Sequence, residues 1–349
     1  MNTITEKKVK ELRDKGVDVW SISRLNSYNN CAYGYKRTYV GEDRSRGKDN
    51  IYSFAGSEIH DVLEDIYNDK ANQDDLKQIY EGIITKSKLF GINFPNENIE
   101  NNWRSDMEHF VANFAKLDKK MITEKHFLLQ VEDDIWVQGY IDALYKNEDG
   151  TLTVLDWKSS SRFVGNALTN AGRQLLLYKL ALEQTSDYKV SKIAWFMLKY
   201  VYVCYGNRKS MRSRRSWVKD TKNPIVKALI KHGEEDFVAE LMFEEASKNN
   251  NLNNLPKEVQ DQFVLEDCIL EYEITDERID ECLSYIKNTV KLATTDKEYS
   301  PVEINRGTEF FCNVLCNHRD TCKYLKMYRG EKVNELDSTV EKELLKLFN

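Results

Sequence analysis

From Ser53 to Tyr67 the apolar residues Ile59, Val62, Leu63 and Ile66 recur at the spacing that gives a helix one apolar face. Residues 4–15 read as a shorter, charged helix, and 21–40 (SISRLNSYNNCAYGYKRTYV) as a helix with Ser21 or Ser23 near its start. Residues 41–50 are polar and Gly-containing, which predicts a loop. Over 72–122 charged and apolar positions again alternate at helical spacing, interrupted by GINFPNEN at 91–98, and predict a helical insert. The rhythm then shortens. Residues 126–137 and 139–146 fit strands, NEDG at 147–150 a turn, and TLTVLDWKS at 151–159 a strand that closes a hairpin. A helix over 168–184, one or two strands over 190–205 and a helix over 276–293 complete the pattern. Residues 207–265 begin basic, turn helical and carry KNNNLNN at 248–254, and read as an insertion.

The order helix, hairpin, strand, helix, strand predicts an α/β fold with a central mixed sheet flanked by helices. The expected divisions are an N-terminal helical segment (1–50), a core (51–205, with the helical insert at about 70–125), a basic and helical insertion (206–265), and a C-terminal helix with a cysteine-rich segment (266–349).

Composition narrows the class. The 349 residues are 41% apolar and 31% charged with little Gly or Pro, as in a globular protein of one large or two modest domains. No apolar run approaches bilayer length, and MNTITEKKVKELRDKG lacks the apolar core of a signal peptide, so a cytoplasmic protein without membrane attachment is expected. The net charge of −6 argues against binding nucleic acid by bulk charge alone, although a local basic groove is compatible with it. Seven cysteines, an odd number, point away from disulfides and toward a thiolate metal site. There is no G-x-x-x-x-G-K-[ST] loop, so this sequence contains no helicase motor of that kind.

Three segments converge on one chemistry: GYIDAL with Asp142, VLDWKSSS with Asp156 and Lys158, and GRQLLLYKLAL with Gln174 and Tyr178. Side chains alternate along a strand, so Asp156 and Lys158 share a face and Trp157 points away. Asp142 on the preceding strand can lie beside Asp156 across the hairpin. Two close carboxylates repel unless a cation lies between them, and oxygen ligands select Mg²⁺ or Mn²⁺. Such an ion activates water and orients a phosphodiester, while Lys158 adds positive charge near the attacking water or the phosphate. Gln174 and Tyr178 share a helix face at i, i+4, and Arg173 is a candidate phosphate contact. His60 is a candidate nitrogen ligand, with Glu64 one turn later to orient it.

The ordered set G-x-x-x-H, G-Y-x-D, L-D-x-K-S and Q-x-x-x-Y resembles the PD-(D/E)XK nuclease superfamily in its RecB-like branch. The resemblance implies a restriction-endonuclease-like core. It makes His60, Asp142, Asp156 and the Trp157 carbonyl metal ligands, Lys158 catalytic, and Gln174 and Tyr178 an accessory motif. The proline of the superfamily's name is absent here.

The tail FFCNVLCNHRDTCKYL brings Cys312, Cys316 and Cys322 within eleven residues, and three thiolates call for a fourth ligand. Cys31 is the best candidate, although 280 residues separate it from Cys312. This arrangement resembles the iron–sulfur nucleases of the same superfamily, the AddB-type helicase–nuclease subunits and the cluster-bearing nuclease of CRISPR spacer acquisition. The resemblance implies a [4Fe–4S] cluster on Cys31, Cys312, Cys316 and Cys322 that ties the two ends of the chain together. Here C-x-x-x-C replaces the family's C-x-x-C, which leaves zinc as the alternative and His318 as an alternative ligand. Cys204, Cys268 and Cys282 read as ordinary buried thiols.

The basic run NRKSMRSRRSWVK at 207–219 offers Arg208, Lys209, Arg212, Arg214, Arg215 and Lys219 to DNA, with Trp217 to stack on a base, against the plainer reading of a solvated loop. Tyr33, Tyr35, Lys36 and Arg37 are further candidates near the cysteines. The expected function is a Mg²⁺- or Mn²⁺-dependent deoxyribonuclease, an exonuclease on single strands or duplex ends. It would serve recombination, repair or phage DNA metabolism beside a helicase or recombination partner. The alternatives are a CRISPR-adaptation-like end-trimming nuclease, and a non-catalytic DNA-binding or scaffold subunit, against which the intact Asp142, Asp156 and Lys158 speak.

Overall fold

The structure is a computed structural model that describes residues 2–42 and 44–331. In chain order its elements are α1 (Asn2–Asp14), β1 (Val19–Trp20), α2 (Ile22–Asn30), α3 (Ala32–Tyr39), α4 (Ile51–Tyr67), α5 (Gln73–Leu89), α6 (Glu97–Ala112), β2 (Met121–Glu132), β3 (Ile135–Lys146), β4 (Leu152–Lys158), α7 (Asn166–Thr185), β5 (Val190–Tyr205), β6 (Arg208–Ser213), α8 (Lys222–His232), α9 (Asp236–Asn249), α10 (Lys257–Gln260), β7 (Val264–Tyr272), α11 (Asp276–Thr295) and α12 (Lys323–Tyr328). The chain forms two compact units, one from Met1–Ile22 with Ile51–Lys287 and one from Ser23–Asn50 with Asn288–Asn349. The C-terminal segment expected over 266–349 is thus described only to residue 331.

The first unit holds a mixed seven-stranded sheet flanked by helices, the α/β architecture expected. β2, β3 and β4 run antiparallel in succession, and β4 pairs parallel with β5 across the α7 crossover. β5 also pairs antiparallel with β6 and β7, and β1 adds a short parallel pair to β3. Helices α4, α5 and α6 bury Ile59, Leu63, Ile83, Met107 and Phe110 in one core with Trp157 and Phe196 of the sheet. Each such side chain contributes about 1.5–3 kcal/mol of transfer free energy on burial. α7 needs Gly172, because a Cβ there would lie 2.2 Å from Cζ of Tyr272.

Three expectations are corrected. The β2–β3 turn falls at Asp133 and Asp134, not near residue 138; aspartates suit a tight turn, and Gly139 stays in the strand because a Cβ there would sit 2.8 Å from the Phe127 ring. The basic start of the span 207–265 is a strand rather than a loop: Gly206 and Asn207 turn β5 back into β6, and α8, α9 and α10 pack around Trp217, Leu229 and Phe243 as a subsidiary core. The single helix expected over 21–40 is broken at Cys31, whose extended backbone and Sγ, accepting from the Gly34 N–H at 3.4 Å, cap α3.

In the second unit the segment 23–50 closes directly on 288–331. The Arg319 guanidinium donates to the carbonyls of Lys48 and Asp49, the Asn50 amide to the Leu315 carbonyl, and the Tyr28 hydroxyl to Asp296. Tyr35 is buried among Tyr28, Tyr39 and Tyr299. Gly47, at φ +69°, is required where it stands, since a Cβ would come within 2.3 Å of the Asn317 carbonyl oxygen.

Candidate active site

The hairpin register that pairs Ala143 with Leu155 brings the Asp142 and Asp156 positions side by side. Asp142 accepts a hydrogen bond from the Trp157 N–H at 2.9 Å, a contact that ties the carboxylate to the end of β4. Asp156 is fully buried, and the Lys158 ammonium lies 2.7 Å from its Oδ2. Beyond this ion pair neither oxygen of Asp156 finds a hydrogen-bond partner among the described residues. Trp157, between them, is buried on the other side under Tyr67, as strand alternation requires.

The crossover helix α7 completes the arrangement. Gln174 accepts from the Lys158 ammonium at 3.3 Å and donates to the Tyr178 hydroxyl at 2.6 Å, so Asp156, Lys158, Gln174 and Tyr178 form one chain of polar contacts. Tyr178 is braced edge-on by Phe127. From α4, His60 places Nδ1 3.4 Å from Asp142 Oδ2, and its ring meets the Trp157 indole edge-on at 5.8 Å. Glu64, expected to orient His60 or to lie nearby, accepts from the Asn68 amide at 3.5 Å.

The electrostatics follow from this crowding. Burial raises the Asp156 carboxyl to about 7; Lys158 opposes the rise and Asp142 adds to it. Burial also raises Asp142, against the pull of Lys158 and the Trp157 N–H. For Lys158 burial pushes downward, but Asp156 and Asp142 outweigh it and the ammonium is held above its usual range. Burial, then Lys158, lowers His60, which favours the neutral ring able to ligate a metal. Among the described residues no group of three or more His, Cys, Asp or Glu side chains stands ready-made around a metal position. Lys158 lies against the Asp156 face that an ion would take.

The basic run takes another place than expected. Arg214 is 3% exposed, donates to the Leu198 carbonyl and Asp267 at 2.8 Å, and lies over the Phe110 ring. Arg215 pairs with the buried Asp106 at 2.5 Å, and Arg212 donates to the carbonyls of Met211 and Asp220. Trp217 is buried, its indole N–H donating to the Asn250 carbonyl, so it offers no stacking surface. A buried charge needs a partner, and Arg214 and Arg215 find theirs on β5, β7 and α6. Arg173 is likewise committed, to Glu281 and to the Tyr285 ring at 3.8 Å. In the second unit Tyr35 is buried, Arg37 donates to Thr321, and Lys36 lies over Tyr299.

All four cysteines of the tail-and-helix set fall in the second unit. Burial, then Cys316, Cys31 and Cys322, raises the Cys312 thiol to about 11, and Cys316 is raised by burial and by Cys31 and Cys322. The C-x-x-x-C spacing is taken up by a π-helical turn over Phe311–Leu315, closed by the Cys316 N–H on the Phe311 carbonyl at 2.8 Å. His318 turns Nε2 to Thr38 at 2.9 Å, and its Nδ1 sits against Gly47. Cys268 and Cys282 are buried as expected, whereas Cys204 is partly exposed.

The family model of the PD-(D/E)XK nuclease superfamily matches residues 19–323. The chain belongs to this superfamily. Its fold is accordingly restriction-endonuclease-like. A stretch of 184 residues is 24% identical to one of the subunits of the ATP-dependent helicase/deoxyribonuclease of Streptococcus pyogenes serotype M6. It is 25% identical to the corresponding protein of serotype M18 and 24% to that of serotype M1. The stretch covers 50% of this superfamily member but 17% of each relative. Together these similarities support a nuclease, a hydrolase of the deoxyribonuclease kind. Among the described residues no helix is long and apolar enough to cross a membrane.

Proposed function

We propose that the chain is a Mg²⁺- or Mn²⁺-dependent deoxyribonuclease that removes nucleotides from DNA ends, single-stranded or duplex. One observation carries this reading: a fully buried carboxylate, Asp156, ion-paired with the Lys158 ammonium and set beside a second buried carboxylate and a histidine. A buried acid held by a single ammonium is poorly compensated, and a hard cation held by Asp156, Asp142, the Trp157 carbonyl and His60 would stabilise it further. Bound there, the ion would supply an activated water and charge neutralisation at the phosphate. Lys158, released from Asp156, would then present its ammonium to the phosphate or the attacking water, and Gln174, itself held by Tyr178, would keep it aimed. Burial around the two carboxylates excludes competing water. The likeness to helicase/deoxyribonuclease proteins supports a place beside a helicase in recombination or repair.

Cys31, Cys312, Cys316 and Cys322 are assigned a [4Fe–4S] cluster, with zinc as the alternative. Supporting this is their gathering in one unit, where their thiols sense one another's charge, and the softness of an all-thiolate set. His318 is the weaker ligand candidate, because Nε2 already faces Thr38. The cluster's role would be to fasten segments 23–50 and 288–331, and cysteines outside disulfides suit a reducing, cytoplasmic setting.

The test is direct. With Mn²⁺ and end-labelled single- and double-stranded DNA, the protein should release short products from the ends. EDTA should stop the reaction, and Asp156→Asn should abolish it. Cleavage that persists unchanged in Asp156→Asn would overturn the assignment, and products cut from the interior of circular DNA would replace the exonuclease with an endonuclease.

A further inference from the structure

In the GYID segment of β3, Tyr140 stands two residues before Asp142. Side chains two apart on a strand share a face, and a rise of about 3.3 Å per residue sets their Cα atoms roughly 6–7 Å apart. The Tyr140 ring is 47% exposed, yet it is held in place. Directly across the hairpin it pairs with His126 of β2, and the two rings stack with centroids 4.6 Å apart and planes 16° from parallel. His126 is buried, and its Nε2 lies 3.2 Å from the Gln138 side-chain oxygen. One face of the tyrosine ring is thus backed by a fixed imidazole, which leaves the opposite face and the rim to solvent. The sheet is open beside it: β1 pairs with β3 at Trp136 and Val137, and β4 joins β3 only from Ala143 onward. The other exposed aromatic side chains described in the first unit, Phe90, Tyr188 and Phe237, lie at helix ends or in a loop, and none is on a strand that carries an aspartate of the site.

A flat ring with a rigid backing and an open face is what proteins present to unpaired nucleic-acid strands, whose bases stack on aromatic side chains. We propose that Tyr140 is a stacking platform for an unpaired nucleobase, which makes a single-stranded end the substrate of the proposed nuclease site. The inference rests on the nuclease reading above and deepens it. With the scissile phosphate at Asp142 and Asp156, the neighbouring base lies on Tyr140. A base inside a duplex is already stacked on both faces and has none to offer, whereas a base at an unpaired end does. Stacking reads no hydrogen-bonding edge, so the platform accepts all four bases.

The full-length parent, Tyr140→Ala, Tyr140→Leu and Tyr140→Phe should be assayed with Mn²⁺ on an end-labelled single strand and on a blunt duplex of the same sequence. Tyr140→Ala should lower kcat/KM on the single strand by roughly 5–150-fold, the span that base–aromatic stacking gives on alanine substitution, with the loss in KM. Tyr140→Leu, which keeps an apolar cover over His126, should lose as much, and Tyr140→Phe should stay near the parent. Cleavage of the duplex end should change little in all three, which also shows that they fold. A single strand ending in 2-aminopurine reports the stack itself: its fluorescence should be quenched on mixing with the parent or Tyr140→Phe and not with Tyr140→Leu. A parent that cuts but leaves 2-aminopurine bright overturns the inference, whatever the variants do. So does a Tyr140→Leu protein that cuts the single strand like the parent, or one that loses both substrates alike. A parent that cuts only the duplex overturns the substrate class, and a parent that cuts neither DNA overturns the nuclease reading itself.

Discussion

The Lys158 ammonium lies 2.7 Å from Asp156 Oδ2, so the two residues proposed to act on a phosphodiester bind each other first. In the proposed mechanism a metal ion would compete with Lys158 for Asp156, so the two roles can be separated by substitution. Lys158→Ala should bind Mn²⁺ at least as tightly as the parent, since a competing cation has been removed, while single-turnover cleavage falls by about 10²–10³-fold. A Lys158→Ala protein that cuts at the parental rate would remove this residue from the mechanism.

Metal-free stability should depend on pH through the same acids. Asp156 and Glu124 are both raised to about 7, burial being the first cause for each. Between pH 4 and 7 the folded chain thus keeps protons that the unfolded chain has lost. Their contribution to stability is full at the acid end and declines as pH rises toward 7. Melting temperatures in EDTA should fall over this window more steeply for the parent than for Asp156→Asn, and saturating Mn²⁺ should remove most of the difference. Equal slopes for the two proteins would contradict the raised carboxyl.

Arg214→Met should act on the fold rather than on DNA. It leaves Asp267 and the Leu198 carbonyl without their buried partner, a loss of about 3–5 kcal/mol by the usual cost of breaking such a pair. Urea denaturation measures it. The salt dependence of DNA binding should stay at the parental slope, the reverse of what a DNA-gripping loop would give.

Anaerobically purified protein should be brown and contain iron and sulfide in equal amounts, and Cys31→Ala should lose both and melt lower. Colourless protein with one zinc would keep the four-thiolate centre but replace the cluster. Metal content independent of Cys31 would remove that residue from the centre.

The readable parts of the molecule were those where burial imposes a period. Ile59, Val62 and Leu63 mark α4, and the alternation around Asp142 and Asp156 marks the hairpin, because one face of each must be apolar. β6 escaped because its sequence, RKSMRS, looks like a solvated loop; only the structure shows that Lys209 meets Glu266 and that the adjoining Arg214 meets Asp267, both partners from β7. The Gly206–Asn207 pair was the available signal, a two-residue turn between alternating segments.

The second unit also sets a timetable for biosynthesis. Between Cys31 and Cys312 the ribosome adds 280 residues. At about 5–20 residues per second that interval lasts on the order of tens of seconds. Through all of it the segment 23–50 waits for Leu315 and Arg319, the partners that close it. Any group that needs all four thiols would therefore be loaded late, after the sheet bearing Asp156 has been made, and a chain broken off before residue 312 keeps that sheet's sequence but lacks three of the four cysteines.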